Sequence, residues 1–256
     1  MGARLGQHFL SDPSILGRIA DAAGIEPGET VLEIGPGKGG LTAPLAARAA
    51  KVVAIEADGR LAAALRERAS AGVEIVHGDA LRVPWPVVQR ICGNIPYQIT
   101  SPLIERALTR PRPRCVVFLV QREVADRIAS PPGSRTYGAL SAGVQLVARV
   151  ERLFAVPRGA FRPPPRVDSA VIRLTPLDPE PCDSVEEALT RRLIREAFQH
   201  RRAQLWRTLA NALGLAKEDA ADLLSRAGID PSARPETLSA QQFLTLARTL
   251  EAPFTP

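Results

Sequence analysis

The sequence predicts an α/β fold: a parallel sheet covered by helices on both faces, followed by a small C-terminal all-helical domain. Three observations carry this. Short β-branched apolar runs alternate with Ala- and Leu-rich helical segments through the first two-thirds of the chain. An acidic, Pro-rich stretch at 175–183 interrupts the pattern, and beyond it the periodicity is helical throughout. With 256 residues, 45% apolar and 23% charged, the chain suits one ordinary domain over 1–175 and a small one over 176–256.

The elements follow in order. Ser11-Asp12-Pro13 supplies a cap and a first-turn proline for a helix over 14–23. Residues 30–34 read as a buried strand and 40–50 as a helix, then 51–55 as a second strand. Asp58 caps a helix over 60–69. Residues 73–76, 87–92 and 116–120 are further strands, the last too apolar for a sheet edge. Pro131-Pro132-Gly133-Ser134 is a loop, Phe161-Arg162-Pro163-Pro164-Pro165 a stiff extended segment, and 167–174 a strand again. Helices then span 185–198, 203–213, 218–227 and 236–250, the last beginning after Pro235.

A mean hydropathy of −0.02 excludes a membrane bundle, and no run approaches 18 apolar residues. The N-terminus lacks the apolar core of a secretion signal. Cys92, Cys115 and Cys182 are odd in number and scattered, as in a reduced, cytoplasmic protein. His8, His77 and His200 have no metal-ligand spacing with them, so no metal is expected.

The net charge of +6 is unevenly spread. Residues 1–105 sum to −1, 106–173 to +9, 174–190 to −5, 191–207 to +5 and 208–256 to −2. Thirty of the 33 basic residues are Arg. Codon bias explains the abundance of Arg but not its concentration in two blocks, which fits a nucleic-acid partner.

Three motifs carry chemistry. Glu33-Ile34-Gly35-Pro36-Gly37-Lys38-Gly39-Gly40 follows the first long strand and opens a helix, so the backbone can approach a ligand closely. Glu56 ends the next strand, where a carboxylate can accept from both hydroxyls of a ribose. Gly35-x-Gly37-x-x-Gly40 also fits a dinucleotide fingerprint, and a tight turn that binds nothing stands as a third reading. Glu33 just before the turn suits a ligand with a cationic amino-acid end. Asp79, in Gly78-Asp79-Ala80, ends the third strand, placed either to accept from an adenine amine or simply to cap a turn.

The most specific motif is Gly93-Asn94-Ile95-Pro96-Tyr97. The Asn94 side-chain oxygen and the Ile95 carbonyl, stiffened by Pro96, can both accept from one exocyclic amine. Such acceptors draw the hydrogens out of the ring plane and localise a lone pair that an adenine otherwise spreads into its ring. Tyr97 offers a flat face for an extruded base. The plain alternative is a turn with a buried Tyr.

These motifs, with Leu5-Gly6-Gln7-His8-Phe9-Leu10, Gln121-Arg122-Glu123-Val124-Ala125, Tyr137-Gly138, the 161–171 segment and Gly228-Ile229-Asp230-Pro231, resemble the ribosomal RNA adenine dimethyltransferases of the KsgA/RsmA type over essentially the whole chain. The resemblance implies a Rossmann-like S-adenosylmethionine-dependent methyltransferase sheet. It also implies dimethylation of N6 on two adjacent adenines near the 3′ end of 16S rRNA in the small ribosomal subunit, with a role in 30S biogenesis. Carried over by position, His8, Leu10, Glu33, Gly35, Gly37, Glu56, Asp79 and Asn94 would contact S-adenosylmethionine. Asn94, Ile95, Pro96 and Tyr97 would hold the adenine, with Phe161 as a second stacking aromatic. Arg122, Arg201 and Arg202 would meet rRNA, and the plain expectation is a monomer with no membrane attachment.

Four positions depart from the commonest pattern. His8 replaces a frequent Asn, Ile95 a Leu and Gln98 an Asn, all keeping the chemistry, while Ala203 replaces a Lys and removes one phosphate contact. The rival readings are an Erm-type 23S rRNA adenine dimethyltransferase, an NAD(P)-dependent oxidoreductase and a non-catalytic assembly factor. The oxidoreductase leaves 94–97 without a task.

Overall fold

In the computed structural model, which describes residues 8–251, the chain enters through a two-residue strand, β1 (Phe9–Leu10). Helix α1 (Pro13–Ala22) starts where the sequence places it: the Asp12 carboxylate accepts from the backbone of Ser14 (2.9 Å) and Ile15 (3.2 Å), and Pro13 fills the first turn. The same device starts α3 (Gly59–Arg68), where Asp58 accepts from Arg60 and Leu61. Each such cap is worth about 1 kcal/mol. Helix α2 (Thr42–Ala46), between them, is shorter than the sequence predicts.

Eight more strands follow: β2 (Thr30–Ile34), β3 (Lys51–Glu56), β4 (Val73–His77), β5 (Arg90–Asn94), β6 (Cys115–Gln121), β7 (Ala148–Val156), β8 (Phe161–Arg162) and β9 (Ser169–Pro176). Seven form one sheet in the order β4-β3-β2-β5-β6-β9-β7, and the first five are mutually parallel. The expectation of a parallel sheet needs correction, because β9 runs antiparallel to β6, from Val116↔Leu174 to Gln121↔Ser169. Strand direction is invisible to an apolar run: β9 is buried nearly throughout, as a central parallel strand is. Strand β7 on the sheet edge and helix α4 (Thr100–Ala107) after β5 were not read from the sequence.

β1 pairs with β8 in a separate two-stranded clasp, Phe9↔Arg162 and Leu10↔Phe161, extended by Ser11 N–H to the Ala160 carbonyl at 3.0 Å. One face of the large sheet is closed by a core in which Ile19, Ala20, Val31, Leu45, Val52, Val117 and Phe161 are wholly buried, and a smaller cluster of Ala54, Ala62, Leu65 and Ile75 lies under α3. Below the sheet's N-terminal ends a buried ion pair, Arg90 Nε to Glu29 at 2.7 Å, anchors β5. Burial alone would push the Glu29 carboxyl up, but the hydrogen bonds and charge of Arg90, with the Glu26 backbone and Arg114, hold it below the ordinary range.

The chain divides into two compact units, one comprising the chain up to Ala125 with Arg149–Pro176, the other Asp126–Ala148 with Leu177 onward. The chain passes from one unit to the other three times, after Ala125, after Ala148 and after Pro176. The insertion of Asp126–Ala148, which carries the end of α5 (Arg122–Ile128) and all of α6 (Ala139–Gln145), was not expected. Its cause is Tyr137, fully buried with Ala142 in a core made by α7 (Ser184–Gln199), α8 (Leu205–Leu213), α9 (Lys217–Arg226) and α10 (Ala240–Glu251). The Tyr137 ring meets Phe198 edge-on at 6.0 Å, and Phe198 meets Phe243 at 6.2 Å. Partners that lie some 60 to 100 positions further along the chain leave no local signal. Among the described residues no helix is long and apolar enough to cross a membrane, and no three His, Cys, Asp or Glu residues are grouped to hold a metal ion.

Candidate active site

The strand order reverses between β2 and β5: β3 lies on one side of this pair and β6 on the other. In an open α/β sheet such a switch point leaves a crevice beyond the carboxyl ends of the two strands. The register brings Ile34 opposite Gly93, so the glycine-rich turn and the 94–97 segment emerge side by side. Gly93 permits this closeness, since a Cβ there would stand 2.6 Å from the Ile34 carbonyl oxygen.

The cleft so formed has a volume of about 300 Å³. It brings together ten residues expected from the sequence: His8, Leu10, Glu33, Gly35, Gly37, Glu56, Asn94, Ile95, Pro96 and Tyr97. Leu5, Gly6 and Gln7 of the N-terminal motif lie outside the described residues. Phe9, Lys38 and Arg162 also line the cleft and were not singled out. Lys38 sits in the glycine turn with its ammonium 4.8 Å from the Phe9 ring centre, a contact that the two sequence segments, 29 positions apart, do not advertise.

On the β2–β3 side the backbone is fixed before any ligand arrives. Gly37 has φ +59°, and a Cβ there would meet the Phe9 ring at 2.9 Å. Its N–H donates to Glu56 Oε2 at 2.9 Å, and Asp58 N–H donates to Glu56 Oε1 at 2.9 Å. Glu56 is buried, with both oxygens still holding lone pairs beyond these bonds.

Glu33 is different. It is 1% exposed, and its Oε2 has no hydrogen-bond partner. Burial raises its carboxyl to about 8; the nearby Thr42 hydroxyl opposes the rise without closing a well-formed hydrogen bond, and the Glu56 charge adds to it. A buried carboxyl with an orphan oxygen on a cleft wall is a receptor for a cation or a donor.

On the β5 side, Asn94 Nδ2 donates to the His8 carbonyl at 3.1 Å, which leaves Oδ1 as the acceptor. The Ile95 N–H reaches the Leu119 carbonyl at 3.3 Å, holding the 94–97 segment against β6. Tyr97 is half-buried, and its hydroxyl shares a 2.7 Å hydrogen bond with that of Ser169. Burial pushes the Tyr97 phenol up, and the Ser169 bond acts the other way. Ser169 belongs to the 161–171 segment, where no local pattern sets it apart.

Three expected contacts fall elsewhere. Phe161 is wholly buried in the core beside Leu10, so it has no free face on which a base can stack. Asp79 is exposed and does not line the cleft; its carboxylate accepts from Leu81 N–H at 2.9 Å and lies 3.5 Å from Arg82, the capping arrangement. Arg201 is a structural brace: Nε bonds Glu236 at 2.6 Å and Nη2 donates to the Arg135 carbonyl at 2.7 Å. Arg122 is exposed at the carboxyl end of β6, where its backbone N–H donates to the Asp168 carbonyl at 3.0 Å. Arg202, by contrast, is simply exposed.

Comparison with known proteins joins this geometry to a family. A model described as Ribosomal RNA adenine dimethylase matches residues 2–252. The chain is 41% identical over 264 residues to the Ribosomal RNA small subunit methyltransferase A of Geobacter metallireducens, covering 97% of this chain and 94% of that protein. It is 44% identical over 255 residues to the protein of the same name from Gloeobacter violaceus, covering 96% and 92%. A solved dimethyladenosine transferase from Plasmodium falciparum is similar with a TM-score of 0.83 and 29% identity, over 93% of this chain and 96% of that one. The structure of the 23S rRNA methyltransferase ErmE is similar at 0.75 and 30%, over 94% and 99%.

Proposed function

The chain belongs to the ribosomal RNA adenine dimethylase family, and on that premise we propose its reaction: transfer of methyl groups from S-adenosylmethionine to N6 of two adjacent adenines near the 3′ end of 16S rRNA, in the small ribosomal subunit. The observation that supports it best is the pairing of an orphan carboxylate oxygen on Glu33 with a free acceptor oxygen on Asn94, across one cleft at the switch point. The first suits a cationic amino-acid group, the second an exocyclic amine.

The residues of the cleft fit the cofactor. Leu10, Gly35 and Gly37 offer backbone and apolar surface, Glu56 has lone pairs left for ribose hydroxyls, and Glu33 awaits a cation. S-adenosylmethionine, when bound, supplies a methyl group on a positively charged sulfur. The chain's own residues prepare the nucleophile. Asn94 Oδ1 and the Ile95 carbonyl accept the two hydrogens of the adenine amine, so the nitrogen lone pair turns out of the ring plane toward the methyl carbon. With the cofactor held by Glu33, Glu56 and the glycine turn, the oriented amine would take the methyl carbon while the carbon–sulfur bond gave its electron pair to sulfur. One amine proton then leaves to water, and no side-chain base is needed. Tyr97 stacks on the base that must leave its helix to reach this site.

The protein acts as a soluble monomer in the cytoplasm, with exposed arginines such as Arg122 and Arg202 facing rRNA phosphates. Methylating purified small-subunit particles and 23S rRNA in parallel, then mapping dimethyladenine by mass spectrometry, tests the reading. Label in the small-subunit rRNA is expected; label confined to 23S rRNA overturns it.

A further inference from the structure

Beside the cleft, on the β4 side, the chain makes a turn that is fastened from outside itself. Strand β4 pairs with β3 so that His77 stands opposite Glu56, and residues 78–83 then fold back. Gly78 N–H donates to the Glu56 backbone carbonyl at 2.9 Å. Arg82 and Val83 N–H both return to the Asp79 carbonyl, at 2.8 and 2.9 Å. Glu56 is the carboxylate with lone pairs left for ribose hydroxyls, so the base on that ribose falls within one sugar's length of this turn.

The fastening comes from α4. Arg106 Nη1 donates to the Ala80 carbonyl at 2.8 Å, and Nη2 donates to the Val83 carbonyl at 2.6 Å. The guanidinium also lies 4.7 Å from the centre of the Trp85 ring, whose Nε1 donates to the same Ala80 carbonyl at 2.9 Å. A planar fork of donors can hold two carbonyls at once, which a lysine ammonium matches poorly. Val83 passes the grip on. A Cβ on Gly78 would stand 2.3 Å from Val83 Cγ1, so Val83 packs directly on the residue bonded to Glu56. At its other end α4 grows out of the base-holding segment, with Thr100 Oγ1 donating to the Pro96 and Tyr97 carbonyls at 3.3 and 3.2 Å.

We propose that Arg106 is a positioning residue for the cofactor, holding the 78–83 turn in the shape that walls the adenosine half of S-adenosylmethionine. The proposal rests on the S-adenosylmethionine reading above and deepens it. Without the guanidinium both carbonyls return to water and the turn samples other shapes. If about a tenth of the molecules then hold the competent shape, apparent affinity falls about tenfold.

The test uses the full-length protein and two ligands that share the adenosine half. One is S-adenosylhomocysteine; the other is 5′-methylthioadenosine, which lacks the amino-acid end. Neither is a sulfonium, so calorimetry reads binding alone. Arg106→Ala, shown to be folded by its thermal melt, binds each ligand about tenfold more weakly than wild type, by the same factor for both. On small-subunit particles its KM for S-adenosylmethionine rises about tenfold, while kcat at saturating cofactor stays within about twofold. Arg106→Lys keeps the charge and one carbonyl bond, and it loses about threefold for both ligands.

Wild-type affinity in a folded Arg106→Ala overturns the proposal; if that variant does not fold, wild-type affinity in Arg106→Lys does so. A loss confined to S-adenosylhomocysteine also overturns it, since the effect would then lie at the amino-acid end. So does a fall in kcat with KM unchanged, which would place the effect at the target base. Wild type that binds both ligands but methylates no small-subunit particle leaves Arg106 its role and overturns the reaction assigned to the cleft.

Discussion

The two walls of the cleft are held in opposite ways. At the ends of β2 and β3, one buried carboxylate, Glu56, gathers the N–H groups of Gly37 and Asp58 with its two oxygens, so the backbone itself is the mould. At the end of β5, Asn94 and Tyr97 are side chains each steadied by a single bond from a distant segment, to His8 and to Ser169. The difference teaches where binding and chemistry separate. A wall made of backbone suits a cofactor of one fixed shape; a wall of half-exposed side chains suits a base whose amine has to be oriented.

Five substitutions probe that division, beginning with the largest effect. Asn94→Ala removes the oriented acceptor and should lower turnover by about 100- to 1,000-fold, the range for one preorganised group. Cofactor affinity measured by calorimetry should persist; a parallel loss of affinity would merge the two walls. Tyr97→Ala should cost about 1–3 kcal/mol of transition-state binding, read as kcat/KM on small-subunit particles. Tyr97→Phe keeps the face and loses only the Ser169 bond, about 0.5–1.5 kcal/mol.

Gly37→Ala addresses the other wall. A side chain at φ +59° that also presses on Phe9 should weaken cofactor binding by about tenfold, a cost of 1–2 kcal/mol for the backbone alone. With cofactor saturating, its turnover should be near wild type. Glu33→Gln gives the smallest and most diagnostic change. Because the Glu33 carboxyl is raised to about 8, the protein without ligand keeps it protonated at neutral pH. Its contribution to stability is complete below the ordinary carboxylate range and is lost as pH rises through about 8. A cation bound beside it favours ionisation, so wild type should release about one proton per cofactor at pH 7. Calorimetry in buffers of different ionisation heat should show that release vanish in Glu33→Gln.

Sequence legibility followed locality. Asp12 and Asp58 act as caps within three residues, and both helices start where those residues say. The glycine turn and the 94–97 motif were found because each sits in one unbroken stretch at a strand end, where the topology alone brings them together. What escaped depends on distant partners. Nothing near Phe161 says that its ring turns into the core toward Leu10 rather than outward, because an extended segment presents both faces equally in sequence. Charge blocks mislead in the same way: Arg201 and Arg202 are neighbours, yet Glu236 and the carbonyl of Arg135 claim the first and leave the second exposed. A count of arginines sees two phosphate contacts there, whereas geometry leaves one.

The clasp between β1 and β8 bears on how the enzyme comes into being. Residues 9–10 pair with 161–162, so the wall of the cleft carrying Phe9, Leu10 and His8 has no partner strand until more than 160 residues have left the ribosome. Long-range pairing of this kind forms late, after local helices and the parallel strands have had time to collapse. A nascent or truncated chain therefore lacks a finished pocket for either the cofactor or a base.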